Sequence, residues 1–214
     1  MNATTAPTAR PAAAEPMVHL VDDEAPVRDA LAFLFSSHGL AVRAYASGPE
    51  FLAAADAAPL AGCVLLDVRM EPMSGLQVHD ALVARGSGLP VLFLTGHGDI
   101  PMAVEALKKG AFDFIEKPSG DAALVERVTR ALAVDAARQA ADSKEDEVAA
   151  RLASLSDRER EVMLRVAAGK LNKVIADDLC ISVRTVEVHR ARVFAKLGVR
   201  SAAEVATLLA RGRA

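Results

Sequence analysis

Short apolar runs alternate along the first part of the chain with segments whose apolar residues recur every three or four positions. The runs are Val18-His19-Leu20-Val21, Ala41 to Tyr45, Cys63-Val64-Leu65-Leu66, Val91-Leu92-Phe93-Leu94 and Phe114-Ile115. Most are continuous rather than alternating, the pattern of strands buried on both faces. The intervening segments predict helices over about Ala25–Ser37, after Ser47, over about Ser74–Ala84, over Ile100–Lys109, and from near Gly120, where Leu124, Val128 and Leu132 share a face. Ser47-Gly48-Pro49-Glu50 has the form of a capping box. Strand and helix in regular alternation predict an α/β domain built on a doubly wound, five-stranded parallel sheet.

From Ser156 the pattern changes to consecutive short helices. Ser156-Asp157-Arg158-Glu159 caps the first, which ends at Gly169. A second runs from about Asn172 to Leu179, Cys180-Ile181-Ser182 forms a turn, a third extends from Val183 to Leu197, and Ser201-Ala202-Ala203-Glu204 caps a fourth. Two helices joined by a short turn, the second bearing arginines, suggest a helix-turn-helix in an all-α four-helix domain. The expected divisions are a disordered Ala/Thr/Pro tail at 1–16, the α/β domain at 17–134, a linker at 135–154 and the helical domain at 155–214. The linker is Ala-rich and charged, without the Gly/Ser content of a loose tether, so it reads either as helical or as a passive spacer.

Composition sharpens this division. The length of 214 residues suits two domains, and 52% hydrophobic residues supply a core for each. The net charge of -3 conceals a split: residues 156–214 hold twelve Lys/Arg and seven Asp/Glu, a balance of +5, and the remainder carries -8. The basic part is the one suited to a polyanion. Cys63 and Cys180 lie in apolar segments and form no paired framework, so they are expected to be buried thiols in a reducing compartment. The tail has Arg10 as its only base and no apolar core for export, and no apolar stretch approaches the ~20 residues of a membrane helix. The expectation is a soluble, cytoplasmic protein with no membrane partner.

Five polar residues, Asp22, Asp23, Asp67, Thr95 and Lys117, sit at or just past the carboxyl ends of the predicted strands. Open α/β sheets bind ligands beyond those ends, so residues distant in sequence converge there. Each alone has a commoner structural role, Asp67 as a helix cap, Thr95 as a β-branched strand residue, Lys117 as a solvated charge. Together they place three carboxylates, a hydroxyl and an ammonium at one edge. Clustered carboxylates call for a cation, and Mg²⁺ suits them while leaving positions for phosphate. An Asp beside a metal, a Lys and a hydroxyl can accept a phosphoryl group.

At these residues, from about Met17 to Leu132, the sequence resembles the receiver domain of bacterial two-component response regulators. Val21-Asp22-Asp23-Glu24 is similar to its acidic pair, Leu66-Asp67-Val68-Arg69-Met70 to its phosphoacceptor segment, Thr95-Gly96-His97-Gly98 to its switch-hydroxyl turn, and Glu116-Lys117-Pro118 to its lysine and proline. The runs from Gly96 to Val104 and from Asp113 to Pro118 most resemble the FixJ-like subfamily. The resemblance implies a flavodoxin-like fold and phosphorylation of Asp67 by a sensor histidine kinase. It also implies Mg²⁺ held by Asp23, Asp67 and the Arg69 carbonyl, with Asp22 acting through water. Thr95, Phe114 and Lys117 would form the switch. A homodimer would then form through the helix from Ile100 and the strand before Lys117. Two features depart from the family: Glu71-Pro72 replaces the usual Pro-Gly after Met70, and Arg69 and His97 occupy positions that tune phosphate lifetime.

The C-terminal stretch resembles the LuxR-type helix-turn-helix on Leu155 to Val162, on Asn172-Lys173-Val174-Ile175-Ala176, on Thr185-Val186-Glu187-Val188-His189-Arg190 and on Lys196-Leu197-Gly198-Val199. The third segment is its recognition helix, which implies double-stranded promoter DNA as a partner, with RNA polymerase a further candidate. Helical spacing assigns Val186, Val193 and Leu197 to a buried stripe and leaves Glu187, Val188, Arg190 and Ala191 for the groove. Lys173, Arg184, Thr185 and Arg192 are assigned to backbone phosphates. His189 is divided evenly between packing and phosphate contact. Rival readings are an orphan regulator that binds DNA without phosphorylation, and a metal-dependent phosphatase with Asp67 as nucleophile. Such phosphatases carry a second Asp two residues on, where this chain has Arg69, and the reading adopted is a regulator that is not an enzyme.

Overall fold

A computed structural model describes residues 15–96, 100–117 and 120–211. The predicted tail, apart from Glu15 and Pro16, and the motif residues His97 and Pro118 lie outside the described residues. The chain divides into two compact units between Arg138 and Gln139.

The first unit contains β1 (Met17–Val21), α1 (Ala25–Ser37), β2 (Val42–Tyr45), α2 (Gly48–Ala57), β3 (Gly62–Asp67), α3 (Gly75–Ala84), β4 (Val91–Thr95), α4 (Ile100–Lys108), β5 (Asp113–Glu116) and the start of α5 (Asp121–Ala153). All pairings are parallel, in the order β2-β1-β3-β4-β5. Alternate residues serve opposite faces. Leu20, Leu65, Leu92 and Ile115 pack with Phe35 of α1 and Leu124 and Val128 of α5. Val21, Leu66, Phe93 and Phe114 pack with Phe51 of α2, Val78 of α3 and Ala106 of α4. Apart from His19 and the end residues Gly62, Asp67 and Thr95, β1, β3 and β4 are apolar throughout, which follows from this two-sided burial.

The amino edge of the sheet is fixed by polar groups that the sequence did not single out. Gly62 has φ +113°, and a Cβ there would run into the Met17 carbonyl. Its N–H donates at 2.7 Å to the buried Asp135 carboxylate of α5, which also accepts from Arg138 at 2.6 Å. Beside it the buried His19 places Nε2 at 3.2 Å from the Ala61 carbonyl and Nδ1 at 3.1 Å from the Tyr45 hydroxyl. A carbonyl can only accept, so Nε2 carries the proton and Nδ1 accepts from Tyr45. Burial pushes the His19 pKa down, consistent with that neutral ring.

The second unit comprises the end of α5 with α6 (Asp157–Ala167), α7 (Asn172–Leu179), α8 (Val183–Leu197) and α9 (Ala202–Arg211). One cluster joins Val162, Val166, Ile175, Leu179 and Val186, and another joins Leu155, Met163, Val193, Leu197 and Val205. The predicted bounds of α7 and α8 hold, and Ser156 with Glu159 makes the full reciprocal capping box. The linker is helical through Ala153, because no Gly or Pro interrupts residues 121–153.

Two local expectations fail. Ser47 accepts from the Glu50 N–H, but the Glu50 carboxylate reaches the Ala46 N–H and not that of Ser47, so the box is not closed. Cys63 is buried as expected, whereas Cys180 is exposed. It ends α7 in the left-handed region at φ 51°, where the turn directs its side chain away from the core that Leu179 enters. The close approach at Gly62 yields a first test: Gly62→Ala is expected to lower stability by at least the ~1–3 kcal/mol that strained backbone costs a non-glycine residue. Urea unfolding of the variant checks it.

Candidate functional site

Strand register brings the predicted residues to one edge. Asp67 pairs with Leu94, and Thr95 with Glu116, so the ends of β3, β4 and β5 lie side by side, with Asp22 just past β1. Lys117 is fixed by its own N–H, which donates to the Thr95 carbonyl at 2.7 Å. Its ammonium then donates to Asp67 at 3.0 Å and to Asp22 at 3.2 Å. The other Asp67 oxygen accepts from the Arg69 N–H at 2.7 Å, and Asp22 Oδ1 accepts from the Glu24 N–H at 2.9 Å.

Burial separates the two carboxylates. The Asp22 side chain is 2% exposed and that of Asp67 is 12%, so Asp67 is the one a reagent can approach. Burial pushes the Asp67 carboxyl up, against the pull of Lys117 and the Arg69 N–H. Burial works to lower the Lys117 ammonium, but Asp67 and Asp22 outweigh it and hold the pKa above its ordinary value. Asp23 is exposed and Thr95 is buried. Among the described residues no three His, Cys, Asp or Glu side chains stand close enough to hold a metal ion; here the Lys117 ammonium stands between two of the predicted ligands. The donor set nonetheless suits a hard cation, since one ammonium cannot neutralise Asp22, Asp23 and Asp67 together.

The switch residues are also adjacent. Phe114 is half-buried with its ring 5.9 Å from Phe93, which lies two residues before Thr95 on the same face. Phe93 in turn meets the buried His79 edge-on at 5.5 Å. Glu71-Pro72, the departure from the usual Pro-Gly, is a cis peptide. Gly75 opens α3 directly against Asp67, where a Cβ would collide with the Asp67 carbonyl.

In the second unit α7 and α8 meet at a turn capped by Ser182, which accepts from the Thr185 N–H at 3.1 Å. Val186, Val193 and Leu197 are fully buried, as their spacing predicts. Lys173, Arg184, Glu187, Val188, Ala191 and Arg192 are exposed. Thr185 is partly buried, with its hydroxyl 2.8 Å from that of Ser182. Arg190 stands apart from the exposed set. It donates to Asn172 at 2.9 Å and its guanidinium lies over the Phe194 ring, 5.2 Å from the centroid. His189 is half-buried, and its Nδ1 is enclosed without a hydrogen-bond partner. Sequence reasoning missed Asn172 as the partner of Arg190, because α7 lies eighteen residues upstream and only packing joins them.

Both units belong to known families. Residues 18–129 match the response regulator receiver domain, and residues 153–209 match the luxR family of bacterial regulatory proteins. The chain belongs to the two-component response regulators that join a receiver to a LuxR-type DNA-binding domain, and it is a regulator of transcription. Within that class it is 53% identical over 195 residues to the C4-dicarboxylate transport transcriptional regulatory protein DctR of Rhodobacter capsulatus, covering 89% of this chain and 98% of that one. It is 47% identical to the transcriptional regulatory protein FixJ of Azorhizobium caulinodans, covering 88% and 89%. Among solved structures the response regulator StyR aligns with TM-score 0.85 and 38% identity over 92% of this chain and 100% of that one. Full-length FixJ from B. japonicum aligns with TM-score 0.57 and 40% identity over 94% and 98%. The receiver implies a histidine kinase partner, and the luxR-family unit implies DNA binding. No helix among the described residues is long and apolar enough to cross a membrane.

The electrostatics of the DNA-binding unit generate a pH test. Glu159 is buried, and a hydrogen bond from Lys196 at 2.6 Å, with the Ser156 N–H, holds its carboxyl down to about 2 from an ordinary 4.5. A carboxyl depressed on folding stabilises fully above its unfolded value, and that stability is lost as pH falls from about 4.5 toward 2. Lys196→Met is expected to flatten this acid limb. The check is the denaturant midpoint followed from about pH 6 down to about pH 3.

Proposed function

We propose that Asp67 receives a phosphoryl group from a sensor histidine kinase and that this controls dimerisation and promoter binding. The observation that carries the reading is Lys117, whose ammonium joins Asp67 and Asp22 across 50 and 95 residues of sequence. An Asp67 oxygen attacks phosphorus, the bond to the kinase histidine breaks, and Lys117 is within reach of the charge on the transferred group. The carboxylates of Asp23 and Asp67, the Arg69 carbonyl and, through water, Asp22 would hold Mg²⁺. That ion, when bound, supplies positive charge to the phosphoryl oxygens. Asp67 acts as a stoichiometric acceptor, and turnover of generic phosphate esters is not expected.

The phosphate draws the Thr95 hydroxyl inward and pairs with Lys117, and Phe114 moves into the space that Thr95 leaves. The face affected is that of α4 and β5. On α4, Ile100, Val104 and Leu107 are exposed apolar residues at helical spacing, the kind of unpartnered stripe that marks an association surface. Dimerisation there would present two recognition helices to a two-fold DNA site. Glu187, Val188, Arg190 and Ala191 are assigned to base edges, and Lys173, Arg184, Thr185 and Arg192 to phosphates. RNA polymerase is a further partner that a promoter-bound dimer would meet. The reading places the protein in the cytoplasm, where the kinase's catalytic side and the DNA both lie.

Incubation with a small acyl phosphate and Mg²⁺ is expected to add one phosphoryl group by intact mass, and none in Asp67→Asn. Sedimentation is expected to show more dimer in the phosphorylated protein. A label that survives Asp67→Asn would overturn the assignment.

On DNA, Lys173→Ala and Arg184→Ala are expected to weaken all binding and to lower the slope of affinity against salt by about one counterion each. Substitution of Glu187 or Val188 is expected instead to change base preference by ~1–3 kcal/mol at defined positions. Binding-site selection over several salt concentrations separates the two classes.

A further inference from the structure

The carbonyl end of α8 is closed by the linker end of α5. Helices leave their last carbonyls without partners inside the helix. Here the Phe194 carbonyl accepts from the Val199 N–H at 3.0 Å and that of Ala195 from Gly198 at 3.3 Å, while the Leu197 carbonyl accepts from Arg151 at 3.0 Å. The same guanidinium is aimed by Glu147 one turn back, at 2.7 Å. Gly198 turns in the left-handed region at φ 68°, and a Cβ there would come within 3.0 Å of the Arg151 nitrogen. Lys196, two residues before Gly198, returns the tie, donating to the Ser154 carbonyl at 3.0 Å. Leu152 and Leu155 pack with Val193 and Leu197.

We propose that Arg151 is a positioning residue for DNA recognition, setting the angle at which α8 presents its reading face. This rests on the reading that α8 enters the major groove. The exposed Arg151–Glu147 pair by itself would contribute little. The bond to Leu197 differs, because a cation there satisfies a terminal carbonyl and meets the negative end of the helix dipole. Glu187 lies ten residues before Leu197, about 15 Å along the axis at 1.5 Å per residue. A tilt of about 5° at the clamped end therefore moves the reading residues by roughly 1 Å. Base hydrogen bonds are intolerant of such a shift, whereas phosphate contacts from long side chains adapt to it.

The test uses the full-length protein treated with acyl phosphate. Its two probes are a duplex selected from a random pool by the parent protein and a scrambled duplex of the same length. Arg151→Ala is expected to reduce the affinity ratio between them about tenfold, the scale of one charge-assisted hydrogen bond. The salt slope should stay at the parental value, since the guanidinium faces Leu197 and not phosphate. Arg151→Lys, which keeps a donor and the charge, should recover most of the ratio, and thermal unfolding reports whether each variant is folded. Equal loss on both duplexes, or a lowered salt slope, would overturn the proposal by making Arg151 a phosphate contact or a fold determinant. Glu187→Ala is measured in parallel. If it loses discrimination while Arg151→Ala keeps it, this inference fails and the reading of α8 stands; if both keep it, both fail.

Discussion

Burial of the sheet on both faces is the constraint from which the receiver's chemistry follows. With α1 and α5 on one side and α2, α3 and α4 on the other, the middle of β1, β3 and β4 has no room for an unpaired polar side chain. Polar groups are pushed to the strand ends, and parallel pairing aligns those ends. Asp22 and Asp67 are thereby forced into one partly dry space with a single ammonium between them. Removing one partner of such a group costs about 3–5 kcal/mol, because it leaves a charge buried and uncompensated. Lys117 is thus both a structural counter-ion and a ready partner for any anion added at Asp67.

The two edges of the sheet divide the work. At the carboxyl edge the groups are polar, accessible at Asp67, and short of positive charge. At the amino edge the same α/β packing is closed by satisfied bonds: Asp135 to the Gly62 N–H and His19 between Tyr45 and Ala61. The strand that carries Asp67 at one end is therefore pinned at its other end by α5. Such pinning holds the Asp67 end of the strand in place, as the proposed acceptor role would require.

Legibility in the sequence followed the range of the interaction. Periodicity located α7 and α8 to the residue, and α8 starts and stops on local signals, Ser182 and Gly198. Order along the sheet also drew Asp22, Asp67, Thr95 and Lys117 together, because parallel strands leave their ends no other place. What local pattern did not carry were choices between competing partners. The Glu50 carboxylate bonds the Ala46 N–H rather than that of Ser47. Cys180 had an apolar neighbourhood in sequence, but a left-handed turn decided its exposure. Asp135, Arg151 and Asn172 gain their long-range partners Gly62, Leu197 and Arg190 only through the packing of distant segments.

Arg190 shows how such a partner alters a functional argument. Composition and face make it a base reader, since an arginine on a recognition helix can address guanine with two donors. In the folded unit its guanidinium already donates to Asn172 and lies on Phe194. Leaving those contacts forfeits a hydrogen bond and a cation–π interaction, together about 1–3 kcal/mol. That is the whole of what one good base contact returns. Glu187, Val188 and Ala191 face no such competition, being exposed with their helix already held at both ends. Under the proposed docking, Arg190 would therefore reach a base only by giving up the contacts that lock α7 against α8.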